Sequence, residues 1–391
     1  MEQAKTPRAW NQDLDAPSSP RESRFRESWH LFRSNRLAIS GFVIFLVFLC
    51  VALVGLFLTS GTQPIFDPAM VRLQEKLRPP LSTPNIEALD PEEVPALGIY
   101  LFGTDDLGRD VFSRMLQGAW VSLTVGFVAV GISVLIGIFM GGIAGYFGEK
   151  QVRSGYALGV LFTGAGFTLL GMGKWTTSFI FLASGAALFL FSAVHGSTGH
   201  MSPGKAPFRA MLSLKVMTVD TLIMRLVDIM LCFPSFFLIL TVVAILPASM
   251  YNIMIVIGLT SWMGAARFVR AEFLSLREQD FVTAAKALGV GKFRIIFRHM
   301  MPNALGPVLV SATIGIASAI LTEAGLSFLG FGVPPPHATW GNILSDGKRF
   351  IFDAPWLTFI PGIAILIVVL SFNLFGEGLR DILNPKLRER S

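Results

Sequence analysis

Leu37-Ala-Ile-Ser-Gly-Phe-Val-Ile-Phe-Leu-Val-Phe-Leu-Cys-Val-Ala-Leu-Val-Gly-Leu-Phe-Leu58 contains no charged residue. About 18 apolar residues suffice for a helix to cross a bilayer, so this run alone takes the chain into a membrane. It begins too far from Met1 for an ordinary signal peptide, and no small-x-small cleavage site follows it. It is therefore expected to be an uncleaved anchor.

Comparable blocks follow at Trp120–Ile143, Gly155–Met172, Thr177–Val194, Leu231–Leu246, Tyr251–Ala266, Pro307–Phe331 and Trp356–Phe375. The fold class is thus all-α, a polytopic membrane protein of about eight transmembrane helices. Gly155–Met172 and Thr177–Val194, separated by a turn with Lys174 and Trp175, are expected to form a tight hairpin. In the second block Gly137, Gly141 and Gly145 recur every fourth residue, a smooth face on which another helix backbone can approach closely.

Composition agrees. Of 391 residues 52% are hydrophobic and 15% charged, against roughly 25% charged in soluble domains. The net charge of +6 comes from basic residues beside apolar blocks, so it reflects membrane topology and not nucleic-acid binding. Cys50 and Cys232 lie in or beside such blocks and are too few for a disulfide framework.

Lys and Arg concentrate in cytoplasmic loops. They are dense over residues 1–36, again from Arg267 to Arg298, and from Arg380 to Arg390. They are sparse in 59–118, a hydrophilic loop punctuated by Pro64, Pro68, Pro79, Pro80, Pro84, Pro91 and Pro95, and in 332–355. An even number of spans with both termini cytoplasmic satisfies every segment. Before the first span, Phe25, Trp29 and Phe32 alternate with arginines at helical spacing, a segment suited to an anionic membrane surface.

The segment Glu272–Asn303 carries two short amphipathic patterns around a glycine break. Phe281, Ala284, Ala285 and Leu288 share one helical face, as do Phe293, Ile296, Phe297 and Met300. Gly289 and Gly291 end the first pattern, and Pro302 stands where the chain turns back into the membrane. Ala284 and Ala285 leave a shallow face for a partner; packing of the loop on its own membrane domain is the plainer alternative.

This segment resembles the cytoplasmic "EAA" loop of ABC importer permeases. Ala284, Ala285, Gly289 and Pro302 match the motif, whereas Thr283 stands at its glutamate position. Gly103-Thr-Asp-Asp-Leu-Gly-Arg-Asp-Val-Phe-Ser-Arg114, Val219-Asp220-Thr-Leu-Ile-Met-Arg225-Leu-Val-Asp228-Ile and Leu326-Ser-Phe-Leu-Gly-Phe-Gly-Val-Pro334 are similar to segments of dipeptide and oligopeptide permeases of the DppC/OppC type. The resemblance implies a five-helix permease core in the bacterial inner membrane, paired with a second homologous permease. It implies cytoplasmic ATPases docking on the loop, with Thr283, Ala284, Ala285, Gly289 and Pro302 as coupling positions. An external binding protein would deliver a peptide, or a non-peptide cargo such as a chelated metal. The chain then divides into a cytoplasmic tail (1–36), an anchor (37–58), an extracytoplasmic loop (59–118) and a permease domain (119–385). An inserted hairpin (149–218) interrupts that domain, and the coupling loop occupies 267–302. The insertion lies where the resemblance requires nothing, and is expected to pack at the periphery or to contact lipid or an accessory subunit.

No Gly-x4-Gly-Lys-[Ser/Thr] phosphate loop is present, since Gly173-Lys174 and Gly291-Lys292 lack both the upstream glycine and the following hydroxyl residue. No ATPase site, cofactor or metal centre is therefore expected, and His195, His200 and His337 have no Cys or acidic partners at ligand spacing. A secondary transporter, the rival class, needs its own ion site on matching repeats, which the sequence does not display. Glu323, near the outer end of a span, either faces a translocation path or bonds within the bundle. Arg225 and Asp228, three apart, are expected to form a local ion pair.

Overall fold

The computed structural model describes residues 33, 35–62, 64–153, 159, 162, 163, 175–194 and 215–383. The expected amphipathic segment at Phe25–Phe32 lies outside them, as does most of the Gly155–Met172 block.

Helix α1 spans Arg36–Thr59, and the side-chain oxygen of Asn35 caps it by accepting from the N–H groups of Leu37 and Ala38 at 3.1 and 3.2 Å. Helix α2 spans Val111–Phe147, its first N–H groups held by Asp110. Its 37 residues rise about 55 Å at 1.5 Å each, well beyond a hydrocarbon core of ~30 Å. Gln151–Arg153 (β1) and Lys215–Thr218 (β2) pair antiparallel, and Trp175–Val194 (α3) lies between them in sequence. Helices α4 (Val219–Leu231) and α5 (Ser235–Ile245) follow, then α6 (Met250–Arg277), α7 (Asp280–Ala287) and α8 (Lys292–Phe328). The short α9 (Trp340–Gly347) precedes α10 (Trp356–Leu383).

Among the described residues five helices, α1, α2, α6, α8 and α10, are long and apolar enough to cross a membrane, and the bent pair α4–α5 raises the number to six if taken as one span. Expected Leu231–Leu246 is not one straight helix. Pro234 cannot donate to a continuing helix and biases Phe233 out of the helical region, and the axes on either side of it differ by 79°. The 11 residues of α5 rise only about 16 Å. The second arm of the expected hairpin coincides with α3, whose described apolar stretch is Thr176–Leu188.

The glycine face of α2 packs against α6. A Cβ on Gly137 would fall 2.5 Å from the Ala265 Cβ, one on Gly145 2.5 Å from the Phe273 Cβ, and one on Gly141 against the Ala266 carbonyl. No side chain fits there, so the two backbones set their own distance. Phe45 of α1 meets Phe372 of α10 at 5.1 Å between centroids. The core gathers Val121, Val125, Ile253, Ile257, Ile316 and Ile320 from α2, α6 and α8. Phe57, Leu135, Phe139 and Leu366 point outward, 80%, 69%, 59% and 65% exposed, as lipid-facing residues do.

Two ends result. At one, α2 and α6 finish and α7 and the start of α8 gather. At the other lie residues 64–110 and 329–355, where the Trp356 Nε1–H at the start of α10 donates to the Thr104 carbonyl and the Trp340 Nε1–H to that of Met115 in α2, each at 3.2 Å.

Candidate functional site

Helix α7 is held against the bundle by Val282 and Ala285, 0% and 6% exposed, which pack with Val269, Phe273, Ile295, Ile296 and Met300. Its end is built by the backbone. The Val290 N–H donates to the Ala285 carbonyl at 3.1 Å and the Gly289 N–H to that of Lys286 at 3.0 Å. This is a Schellman closure, and its C′ residue, Gly289, has φ +73°. Val290 packs against the apolar cluster that contains Ala285, where the motif commonly has a hydrophobic contact. Gly291 then N-caps the next helix.

That next helix is not a separate element. From Lys292 the chain runs as one helix to Phe328, with a π-helical segment at Ile295–Met300. Pro302 is an early residue of the regular α-helix that follows it. Proline lacks an N–H and crowds the carbonyl four residues earlier; the wider π turns before it relieve that crowding. So Pro302 does not mark a turn into the membrane, as the sequence suggested. It marks the change of helix pitch within a continuous rod.

The two expected apolar stripes are split. Ala285, Ile296 and Met300 face the bundle, while Phe281, Leu288, Phe293 and Phe297 are 39%, 82%, 78% and 54% exposed. Thr283 and Ala284 are exposed beside them, and the rings of Phe293 and Phe297 stack at 6.1 Å between centroids. The Thr283 hydroxyl bonds back to the Gln279 carbonyl at 3.3 Å, leaving a short, uncharged side chain on this surface. Of the expected coupling positions, Thr283, Ala284 and Gly289 are therefore at the surface, while Ala285 supports them from below.

At the opposite end, sequence reasoning missed a charge cluster. Asp105 is 0% exposed and accepts from Arg109 Nε at 2.7 Å, Arg114 Nη1 at 2.5 Å, and the N–H groups of Leu107 and Arg109 at 2.9 Å. Asp346 of α9 closes the cluster, 2.9 Å from Arg114 and 3.2 Å from Arg109. Burial, then the neighbouring carboxylates of Asp105 and Asp346, push the Asp106 carboxyl above its ordinary value. The only signal in the sequence was the dense Asp/Arg spacing of 105–114; its partner Asp346 is more than 200 residues away. A cleft of about 640 Å³ opens beside the cluster, lined among others by Arg109, Arg114, His337, Asn342 and Asp346.

Glu323 lies inside the bundle. It is 0% exposed, its Oε1 accepts from the Ser327 hydroxyl at 2.6 Å, and the hydroxyls of Thr339 and Ser122 also face the carboxyl. Asp228 pairs with Arg225 at 3.8 Å, as expected, but more closely with Arg267 of α6 at 2.6 Å. Asp220 likewise meets Arg270, so two ion pairs fasten α4 to α6.

Residues 210–389 match the family described as binding-protein-dependent transport system inner membrane component. Residues 23–80 match the N-terminal TM domain of oligopeptide transport permease C. The dipeptide transport system permease protein DppC of Alkalihalophilus pseudofirmus is 35% identical over 366 residues, covering 94% of this chain and 91% of that protein. DppC of Haemophilus influenzae is 33% identical, with 96% and 97% covered. The oligopeptide transport system permease protein OppC of Bacillus subtilis is 30% identical, with 96% and 94% covered.

Proposed function

Because this chain belongs to the family of binding-protein-dependent transport system inner membrane components, we propose that it is a permease subunit of an ATP-binding cassette importer for dipeptides or oligopeptides. The end that carries α7 is then cytoplasmic, with both termini on that side. Separate ATPases supply the energy there, a second homologous permease completes the path, and an external binding protein delivers the cargo at the end with the Asp105 cluster.

The observation that carries this reading is the surface of Phe281, Thr283, Ala284, Leu288, Phe293 and Phe297. It lies at the end of the bundle where α2 and α6 finish, and exposed apolar residues grouped in this way mark a protein contact. Beneath it, Val282 and Ala285 link α7 to Phe273 of α6 and Met300 of α8, so a push on the surface is transmitted directly to two spans. The small side chains of Thr283 and Ala284 fit a close approach. An ATPase contact that depends on a glutamate at position 283 is not made by this chain.

The chain holds no phosphate-binding loop, so hydrolysis belongs to another subunit. Purified alone, the protein is expected to release no phosphate from ATP above the level of a preparation spiked with an inactive ATPase. Turnover that co-elutes with the pure chain would overturn the assignment of the energy source.

We infer further that the 149–218 insertion is accessory. Its two ends are already joined: β1 and β2 pair Gln151 with Thr218, and the Val219 N–H donates to the Lys150 carbonyl at 2.9 Å. Deleting 149–218 and joining Gly148 to Val219 is expected to leave membrane insertion intact and to retain some uptake. Complete loss of uptake with normal insertion would show that the segment has a required role.

A further inference from the structure

Beside the coupling surface lies a hollow of about 420 Å³ formed by Tyr146 and Phe147 of α2, the following Glu149 and Lys150, the end of α6, and both sides of the Gly289 turn. Lys286 comes from before that turn and Lys292 from after it. The charges do not balance. Both lining carboxylates are committed to Arg277, Glu149 at 2.7 Å and Glu278 at 3.0 Å. Lys150, Lys286 and Lys292 have no carboxylate within ion-pair distance among the described residues.

Two of these lysines also converge. Lys150 and Lys292 line the same hollow, and the charge of Lys292 is the main cause that lowers the Lys150 pKa from its ordinary value. An ammonium is a donor only, with nothing to offer another donor. Two that converge above a hollow, with a third at its rim, present a set of donors that lacks its acceptor. The Phe147 ring, 4.9 Å from the Lys150 nitrogen, helps fix one of them in place.

We propose that this hollow is an anion site that takes a phosphate group, carried either by an anionic lipid headgroup or by a small soluble phosphate. Phosphate oxygens accept several charge-assisted hydrogen bonds at once, which matches donors arriving from three separate segments. The position suits a headgroup, because Tyr146 and Phe147 end a span and basic pockets at the cytoplasmic ends of spans bind such groups. A bound phosphate ties the end of α2 to both arms of the loop, so its occupancy sets how freely α7 moves. The cytoplasmic placement rests on the function proposed above; the binding itself does not.

The test uses the full chain, purified in detergent and in nanodiscs, and reads binding and not transport. Retention of phosphatidylglycerol against phosphatidylcholine is measured by native mass spectrometry, and inorganic phosphate is titrated in detergent at constant ionic strength. The double substitution Lys150→Gln and Lys292→Gln is expected to weaken binding at least tenfold. Lys150→Arg with Lys292→Arg is expected to keep it, and Lys76→Gln at the opposite end to leave it unchanged. Selective phosphatidylglycerol retention that free phosphate does not displace assigns the lipid as source; saturable binding of free phosphate assigns the soluble ion. The proposal is overturned if the wild-type chain binds neither, if the double Gln variant binds within twofold of wild type, or if Lys76→Gln loses as much. All three lysines are exposed, so monodisperse elution of each variant checks that folding is unaffected.

Discussion

Replacing Gly289 with valine is expected to remove most transport while leaving the protein in the membrane at normal abundance. The position has φ +73° and nothing within 4 Å of where a Cβ would stand. The effect is therefore one of backbone strain and not of collision. For an L-residue the left-handed region costs about 1–2 kcal/mol, and more for a β-branched one. That is roughly enough for a tenfold shift in population away from the Schellman closure. Loss of the closure frees the Ala285 and Lys286 carbonyls and swings the Thr283–Ala284 surface relative to Phe293 and Phe297. Asn tolerates the left-handed region, so Gly289→Asn is expected to retain most function. Membrane abundance, co-purification of the ATPases and peptide uptake are measured together. Val and Asn variants that behave alike would show that the turn is not strained, and wild-type co-purification with wild-type uptake in Gly289→Val would remove α7 as the coupling element.

Asp105→Ala is expected to cause the largest loss of stability of any single change outside the spans. The carboxylate is wholly buried and accepts from two arginines and two backbone N–H groups. Its removal leaves the Arg114 guanidinium, 4% exposed, with Asp346 as its remaining carboxylate. Breaking a buried pair from one side costs about 3–5 kcal/mol. Arg225→Ala provides the contrast, because that pair is 3.8 Å long with its arginine 73% exposed, and exposed pairs contribute roughly 0–1 kcal/mol. In detergent, the thermal midpoint of Asp105→Ala should fall well below wild type and that of Arg225→Ala should barely move. Equal midpoints for the two variants would mean that the cluster does not hold this end of the molecule together.

The position of each long span was legible because hydropathy responds to lipid contact. Its ends were not, for the same reason. Helix α2 begins at Val111, nine residues before the apolar block at Trp120, because Asp110 caps it there. Helix α6 continues past Ala266 to Arg277, and α8 begins at Lys292 in place of Pro307. Backbone hydrogen bonding continues in water where the hydropathy signal stops. The break at Pro234 was visible as a residue but was hidden inside a uniformly apolar window.

In the segment from α7 to α8, Gly289 was legible because a helix stop needs a positive φ and glycine supplies it. The face of α7 was legible in part, because apolar residues lie on both sides of it and Ala285, grouped in the sequence with Phe281, Ala284 and Leu288, faces inward. Phe281, Ala284 and Leu288 continued a period that Val282 and Ala285 also satisfy, and only the packing of Phe273 and Met300 decides which side is inward. Asp228 with Arg267, and Asp105 and Arg114 with Asp346, were out of reach. The sequence carries no signal that links residues so far apart in one chain.

The most direct test is reconstitution of this chain with a second permease, the ATPases and a binding protein in liposomes, followed by uptake of labelled di- and oligopeptides. Uptake is expected only with ATP inside the catalytic compartment of the ATPases, and it should cease when their catalytic glutamate is replaced. Peptide accumulation driven by a proton or sodium gradient, without the ATPases, would contradict the importer account and make the chain a secondary transporter.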